Sequence, residues 1–431
     1  MNLPKSLLRR LFLCIFTPLY VFIAVNLAIY SRFNRVNSES PRLFFGSVPI
    51  LNNFYWSRAM RMAGYQAETF VSDYYGSINN RTDWDVLLSE KYRWWPELFR
   101  PFLGFLRVIM CYDVLFISCQ GAFIGTSPLW KIQAPILKLA AKKIVVLPFG
   151  SDAYVYRTVR STSLLHGLLT SYPSQSRLQS RISNQVEYWC KNADIFIPGV
   201  MSFDGIGRWD ALLPSHLFID TNQWLYHPRV DDADGTNGRV LICHAPNHRG
   251  FKGTEFVVDA VDRLKAQGLD VELRLIEGVQ NSEVRRILGD EAHILVEQIV
   301  ATGHALNGLE GMASGIPVVC NLEDSEFTLP LKRWSYLNEC PIVSASPETI
   351  FETLEKLVRN PELRGQLGLA CRLYTEKYHG LDSAQFLFEN VIAYLYGKDV
   401  DLLGLYHPLL GEYPNRSPKI QHPLKNNRIV D

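Results

Sequence analysis

The sequence has little of what several function classes require. Its eight cysteines are spread over 431 residues with no C-x-x-C pairing. That excludes a disulfide scaffold and argues against a structural zinc site. The ten histidines give one H-x-x-x-H, His244 to His248, but Pro246 inside it keeps the pair off a single helix face. Neither a G-x-S-x-G elbow nor a G-K-[ST] phosphate loop occurs, so two common catalytic motifs are missing. Net charge is almost absent, with 44 Lys and Arg against 43 Asp and Glu. A dedicated nucleic-acid binder usually carries a strong basic excess, so no nucleic-acid partner is expected. No internal repeat is visible at a solenoid or propeller period.

What is present is a long globular chain with a basic, apolar head. The length suggests two domains or three, because a single core rarely grows past roughly 250–300 residues. Residues 1–42 hold Lys5, Arg9, Arg10, Arg32, Arg35 and Arg42 against Glu39 alone, which leaves the rest mildly acidic. Between these charges, Leu11 to Tyr30 is uncharged, and a helix of that length rises about 30 Å, the thickness of a bilayer core. Membrane association is the expectation. A cleaved signal peptide lacks a small-x-small site, while a spanning anchor and a helix lying in the interface both stay open; the alternative is a buried core helix. Trp94, Trp95, Phe99, Phe102 and Phe105 stand among Lys91, Arg93, Arg100 and Arg107. They fit either a surface meeting lipid headgroups or aromatics packed under an insertion.

The chain then alternates strand and helix patterns. Arg42–Ile50 reads as a strand running into a loop, with Asn52 and Asn53 as candidate caps for a helix that stops at Gly64. Strands follow near 66–71, 113–118, 143–148 and 194–198. A turn-rich boundary spans 231–238, and a second βα series runs from Arg239, with strands at 240–244, 271–276, 292–296 and 316–321. The domains read as 1–40 membrane segment and linker, 41–230 N-terminal Rossmann-like domain, and 239–382 C-terminal Rossmann-like domain. A helix at 383–397 could cross back to the first domain, and 398–431 is an irregular tail, draped or loose.

Two stretches carry candidate chemistry. In HAPNHRGFKGTEFVVDAV, Arg249 and Lys252 precede Gly253 and Thr254, which open a helix. Backbone N–H groups at a helix start plus two cations suit a diphosphate, although a solvated basic loop would look the same. In NGLEGMASGIPVV, Glu310 sits at a helix start beyond a strand, where a carboxylate can accept ribose hydroxyls or merely complement the helix dipole. In the first domain Asp152 follows a strand in Pro148–Phe149–Gly150–Ser151–Asp152, as an acceptor-side carboxylate or a turn cap.

Taken in order and spacing, KGTEFVVDAV, ELRLIEG, GLEGMASGIPVVCNLED and NPELRGQLGLACRLYTEKYH resemble the nucleotide-binding domain of the group 1 (family 4) glycosyltransferases of the GT-B fold. The likeness is good over Arg239 to His379 and looser over Arg42 to Pro228. It implies an α/β chain of two facing Rossmann-like domains with a cleft between them, plus the N-terminal apolar segment. It also implies a nucleotide-sugar donor, no cofactor, no obligatory metal and retention at the anomeric carbon. By position, Arg249 and Lys252 would neutralise the leaving diphosphate and Glu310 would bind ribose. Thr302 stands where the family's first glutamate falls, and Gly303, His304 and Asn307 supply that region instead. The loop from Gly46 to Asn53 would face donor phosphate and acceptor. The D-x-D pairs Asp83/Asp85, Asp232/Asp234 and Asp399/Asp401 match metal-dependent glycosyltransferases of another fold, a pattern that arises easily by chance. The expectation is therefore a membrane-associated glycosyltransferase with a cytoplasmic catalytic body, acting on a cell-surface glycan or lipid-linked acceptor. A non-catalytic glycan-binding or scaffolding subunit and a nucleotide-sugar epimerase are the alternatives.

Overall fold

The computed structural model describes residues 5–34, 41–76, 79–199, 201, 203–226 and 232–430, with side chains from Phe16 onward. The linker read at 34–40 lies, beyond Asn34, outside the described residues, as do the side chains of Lys5, Arg9 and Arg10.

Short apolar runs form two parallel sheets. The first contains β1 (Leu43–Phe45), β2 (Ala67–Val71), β3 (Val86–Leu87), β4 (Val114–Ile117), β5 (Lys143–Val146) and β6 (Ile195–Phe196), in the order β3-β2-β1-β4-β5-β6. In the central strands, β1 and β4, every residue is buried. Such strands are covered by helices on both faces and so lack polar alternation. The second sheet contains β7 (Val240–His244), β8 (Val271–Leu275), β9 (Ile294–Thr302), β10 (Val318–Asn321) and β11 (Val343–Ser344), in the order β11-β10-β9-β7-β8. Strand order reverses between β1 and β4 and again between β7 and β9. Loops leaving the carboxyl ends of neighbouring strands diverge at such points and open a crevice.

The helix Leu381–Leu395 returns from the second sheet to the first. Gln385 Nε2 donates to Ala59 O at 3.0 Å, and Phe388 packs edge-on to Phe116, Trp56 and Phe45 at 5.0, 5.8 and 6.0 Å. Phe45 and Phe116 stack at 4.5 Å beneath it. This helix gives the two domains one continuous apolar core. The tail is docked: Tyr406 and Tyr413 are buried, Lys377 Nζ donates to Pro418 O at 2.9 Å, and Asn427 Nδ2 donates to Ile342 O at 3.0 Å.

Several elements differ from the sequence reading, and three of them bear on the site. Asn52 and Asn53 lie inside the first turn of the helix Leu51–Met62, whose cap position is Ile50; Asn53 Nδ2 instead donates to Val48 O at 2.8 Å. A helix at Thr162–Ser171 has no counterpart in that reading. Finally, β9 runs to Thr302, past the expected end at Val296, so Glu297 and Gln298 are strand residues.

The helix Pro361–His379 shows how locally encoded such an element can be. Asn360 Oδ1 accepts from Leu363 N at 2.9 Å, with Pro361 in the first turn. Asn360→Ala is expected to lower stability by about 1 kcal/mol, readable as a shifted urea midpoint at unchanged slope; an unmoved midpoint would remove the cap from the account.

Candidate active site

A cavity of about 770 Å³ lies where the two switch points face each other. The first domain contributes Ser47 to Ile50 after β1, Gln120 and Phe123 after β4, and Phe149 to Ser151 after β5. The second contributes Asn247, His248, Phe251 and Lys252 after β7, and Thr302, His304 and Ala305 at the end of β9.

Lys252 ends a short helical turn, Arg249–Lys252, and Gly253 reverses the chain at φ 77° into the helix Thr254–Ala266. A Cβ at Gly253 would lie 2.7 Å from Ile299 Cγ1, so both the left-handed backbone and the close approach require glycine there. The Lys252 ammonium is buried, bonded to Glu297 and donating to Gln298 Oε1 at 2.8 Å. Glu297 also accepts from Ala305 N at 3.1 Å. Burial alone would push the Glu297 carboxyl up, but Lys252 and the Ala305 N–H outweigh it and hold it below the usual range.

Thr254 serves the fold of the loop. Its hydroxyl donates to His244 Nε2 at 2.8 Å, while His244 Nδ1 donates to Val296 O at 2.7 Å. That pairing fixes a neutral tautomer, and burial lowers the His244 pKa to about 4. His304 follows Gly303, which has φ 91°. It is buried in the cavity wall, and neither ring nitrogen has a side-chain hydrogen-bond partner among the described residues, the nearest polar contact being the Ala305 backbone. Desolvation lowers its pKa, so the ring is neutral.

The other candidates stand outside the cavity lining. Arg249 is exposed and pairs with Glu277 at 2.9 and 2.6 Å. Glu310 is buried, its two oxygens accepting from Asn281 Nδ2 at 2.9 Å and Asn307 Nδ2 at 3.0 Å. Burial raises its pKa to about 7 against the opposing effect of those two bonds. Asp152 accepts from Cys119 N at 2.9 Å and from Phe149 N and Gly150 N, each at 3.0 Å. Both of its oxygens are therefore spent on tying the loops after β4 and β5 together, beneath the cavity floor. Gly46 works through backbone proximity, since a Cβ there would lie 2.1 Å from Phe70 O.

Sequence reasoning missed Glu297, Gln298 and the Thr162–Ser171 helix. The first two carried a signal: adjacent polar residues in the otherwise apolar run ILVEQIVAT need partners when buried. The helix covers the Arg249–Lys252 turn. Ser171 Oγ accepts from Phe251 N at 2.8 Å, and the Tyr172 ring lies 4.1 Å from that of His248.

No family model matches the sequence, and no curated protein is significantly similar to it. Solved structures are similar in shape. The Anabaena protein HepE in complex with UDP-glucose covers 82% of this chain and 99% of its own, at 9% identity and a TM-score of 0.51. An alpha-glucosyltransferase in complex with UDP and a 13-mer DNA covers 83% and 100%, at 13% identity and a TM-score of 0.50. With the two facing parallel sheets, these likenesses establish the GT-B fold.

Proposed function

We propose that the protein is a glycosyltransferase that takes a sugar from a nucleoside-diphosphate donor. One observation carries the reading: Lys252, before the helix at the second switch point, faces the loop 47–50 of the first across a single cavity. Loss of a nucleoside diphosphate leaves negative charge on phosphate oxygens, which a buried cation and helix N–H groups stabilise. His304 would contribute a neutral ring nitrogen toward the sugar or phosphate. Arg249 would add only distant charge. Asp152 and Glu297 would act as positioning residues. Glu310, held by Asn281 and Asn307, would need to release one of them to reach a ribose hydroxyl. The sequence resemblance supports retention without an obligatory metal. The basic, apolar N-terminus supports a membrane-associated body and a glycan or lipid-linked acceptor, and a donor made in the cytosol supports the cytoplasmic side.

One observation favours a second reading, a GT-B subunit without turnover: the charge of Lys252 is already matched by Glu297. Thermal shift against UDP-, GDP-, ADP- and CMP-sugars separates the readings. A donor present at 100 times its Kd should stabilise the fold by about 2.7 kcal/mol. Folded protein that responds to none of them would sink the transferase reading, and binding without transfer would favour the second.

A further inference from the structure

We infer that the outward face of the N-terminal helix and the turn at 94–98 form one surface that lies on an anionic bilayer, with the cleft mouth beside it so that the acceptor is lipid-borne. The acceptor clause rests on the transferase reading above.

The helix Lys5–Phe33 is two-faced over its described side chains. Tyr20, Ala24, Ala28 and Ser31 are buried. They pack on the helices Arg100–Cys111 and Gln133–Leu139, with Ser31 Oγ donating to Ile109 O at 2.9 Å and Tyr20 Oη to Phe102 O at 3.1 Å. The two alanines permit that close approach. The other face holds Leu19, Phe22, Ile23, Ile29, Tyr30 and Phe33 in solvent, Phe22 at 66% and Phe33 at 82% exposure. A helix sealed along one side against a charged domain cannot have lipid all round it, so from Phe16 on it lies in the interface and does not span.

The exposed turn adjoins it. Phe16 meets Phe99 at 5.4 Å and Phe102 at 4.9 Å, which places Trp94 (85% exposed), Trp95 and Leu98 next to the helix. Tryptophan favours the headgroup level. Lys91 and Arg93 are exposed there beside exposed Glu90 and Glu97, with Arg93 4.8 Å over the Trp94 ring. Arg32 is exposed on the helix, and the sequence before Phe16 adds Lys5, Arg9 and Arg10 with no acidic residue. This excess of cations selects anionic lipid as the occupant. Pro101 lines the cavity one residue before Phe102, whose ring meets Tyr20 at 5.0 Å. Half-exposed Tyr75 lines the cavity too. One segment thus walls the cleft on one side and meets lipid on the other, a geometry that serves an acceptor carried on a lipid chain.

The test uses the full chain and a Phe22→Ser, Trp94→Ser, Trp95→Ser variant, all three positions being exposed. Both are floated with phosphatidylcholine vesicles, with and without phosphatidylglycerol. The wild type should bind the anionic vesicles, leave them in alkaline carbonate, and bind at least about ten-fold more tightly than the variant. Equal flotation, no flotation, or carbonate-resistant insertion of the wild type would each overturn the surface. Nucleotide-sugar thermal shifts should be the same for both proteins. If no donor shifts either protein while flotation behaves as stated, the transferase reading and the acceptor clause fall and the surface stands. Where a donor binds, its radiolabelled sugar should enter the organic-extractable fraction of membranes, less so with the variant. Label found only in water-soluble glycan, and equal for both proteins, would overturn the lipid-borne acceptor.

Discussion

Lys252→Met is expected to reduce kcat by about 10²–10³-fold if the ammonium stabilises a leaving diphosphate, and to loosen the fold as well. Both partners of the Lys252–Glu297 pair are buried. Removing one leaves a charge uncompensated, which typically costs about 3–5 kcal/mol, a large share of a usual total of about 5–15 kcal/mol. An inactive single variant could therefore be a poorly folded one. Lys252→Met combined with Glu297→Gln separates the two effects. The glutamine is neutral and its side-chain oxygen can still accept from Ala305 N. The pair variant should recover most of the wild-type urea midpoint and keep the kcat defect; activity within a few-fold of wild type would end the catalytic role of Lys252. Glu297→Gln alone acts in the opposite direction. It frees the cation from its carboxylate, so UDP should bind about 5–10-fold more tightly, a coupling of about 1 kcal/mol. Unchanged UDP affinity in that variant would mean that Glu297 does not compete with the donor for Lys252.

The same pair marks how far the sequence can be read. The α/β class was legible because parallel strands bury both faces and show up as apolar runs such as VLICH and VLFI. The Lys252–Gly253 turn was legible as well, because a glycine before an amphipathic helix has a local cause. The partners were not. Glu297 lies 45 residues from Lys252, and Glu277 lies 28 from Arg249. Their meeting depends on β9 lying beside β7 and on the loop beyond β8, neither of which local spacing encodes. β9 was cut short because Glu297 and Gln298 interrupt its apolar run, although their polarity is the clue to a buried partner. The Thr162–Ser171 helix escaped notice because its sequence, TSLLHGLLTS, mixes a glycine and hydroxyl residues into a single turn-like stretch. Asp152 shows a different limit. Its position after a strand end was readable, but whether its oxygens face a substrate or three backbone N–H groups is set by the loop after β4.

Glu310→Gln is expected to stabilise the protein above neutral pH and to have little effect in acid. The folded pKa of about 7 lies above the ordinary value of 4.5. A carboxyl with a raised folded pKa favours folding in its protonated form. Its contribution is complete below pH 4.5 and is lost as pH climbs through 7. At about 1.4 kcal/mol per pH unit, that window amounts to about 3 kcal/mol. A glutamine stays neutral throughout, so the gap between variant and wild type should open from near zero at pH 4.5 toward that value by pH 8. The local hydrogen bonds allow the exchange. Asn281 Nδ2 can still donate to the side-chain oxygen of the introduced glutamine, and Asn307 Oδ1, which is buried without a partner among the described residues, can turn toward the new amide N–H. Urea midpoints measured across pH 4.5–8 supply the check. A constant gap, or a variant less stable at pH 8, would show that Glu310 is ionised at no cost in the folded state. Binding adds a second readout on the same residue. If a ribose hydroxyl displaces one asparagine, Glu310→Gln should weaken UDP binding most above pH 7, where the wild-type carboxylate accepts most strongly.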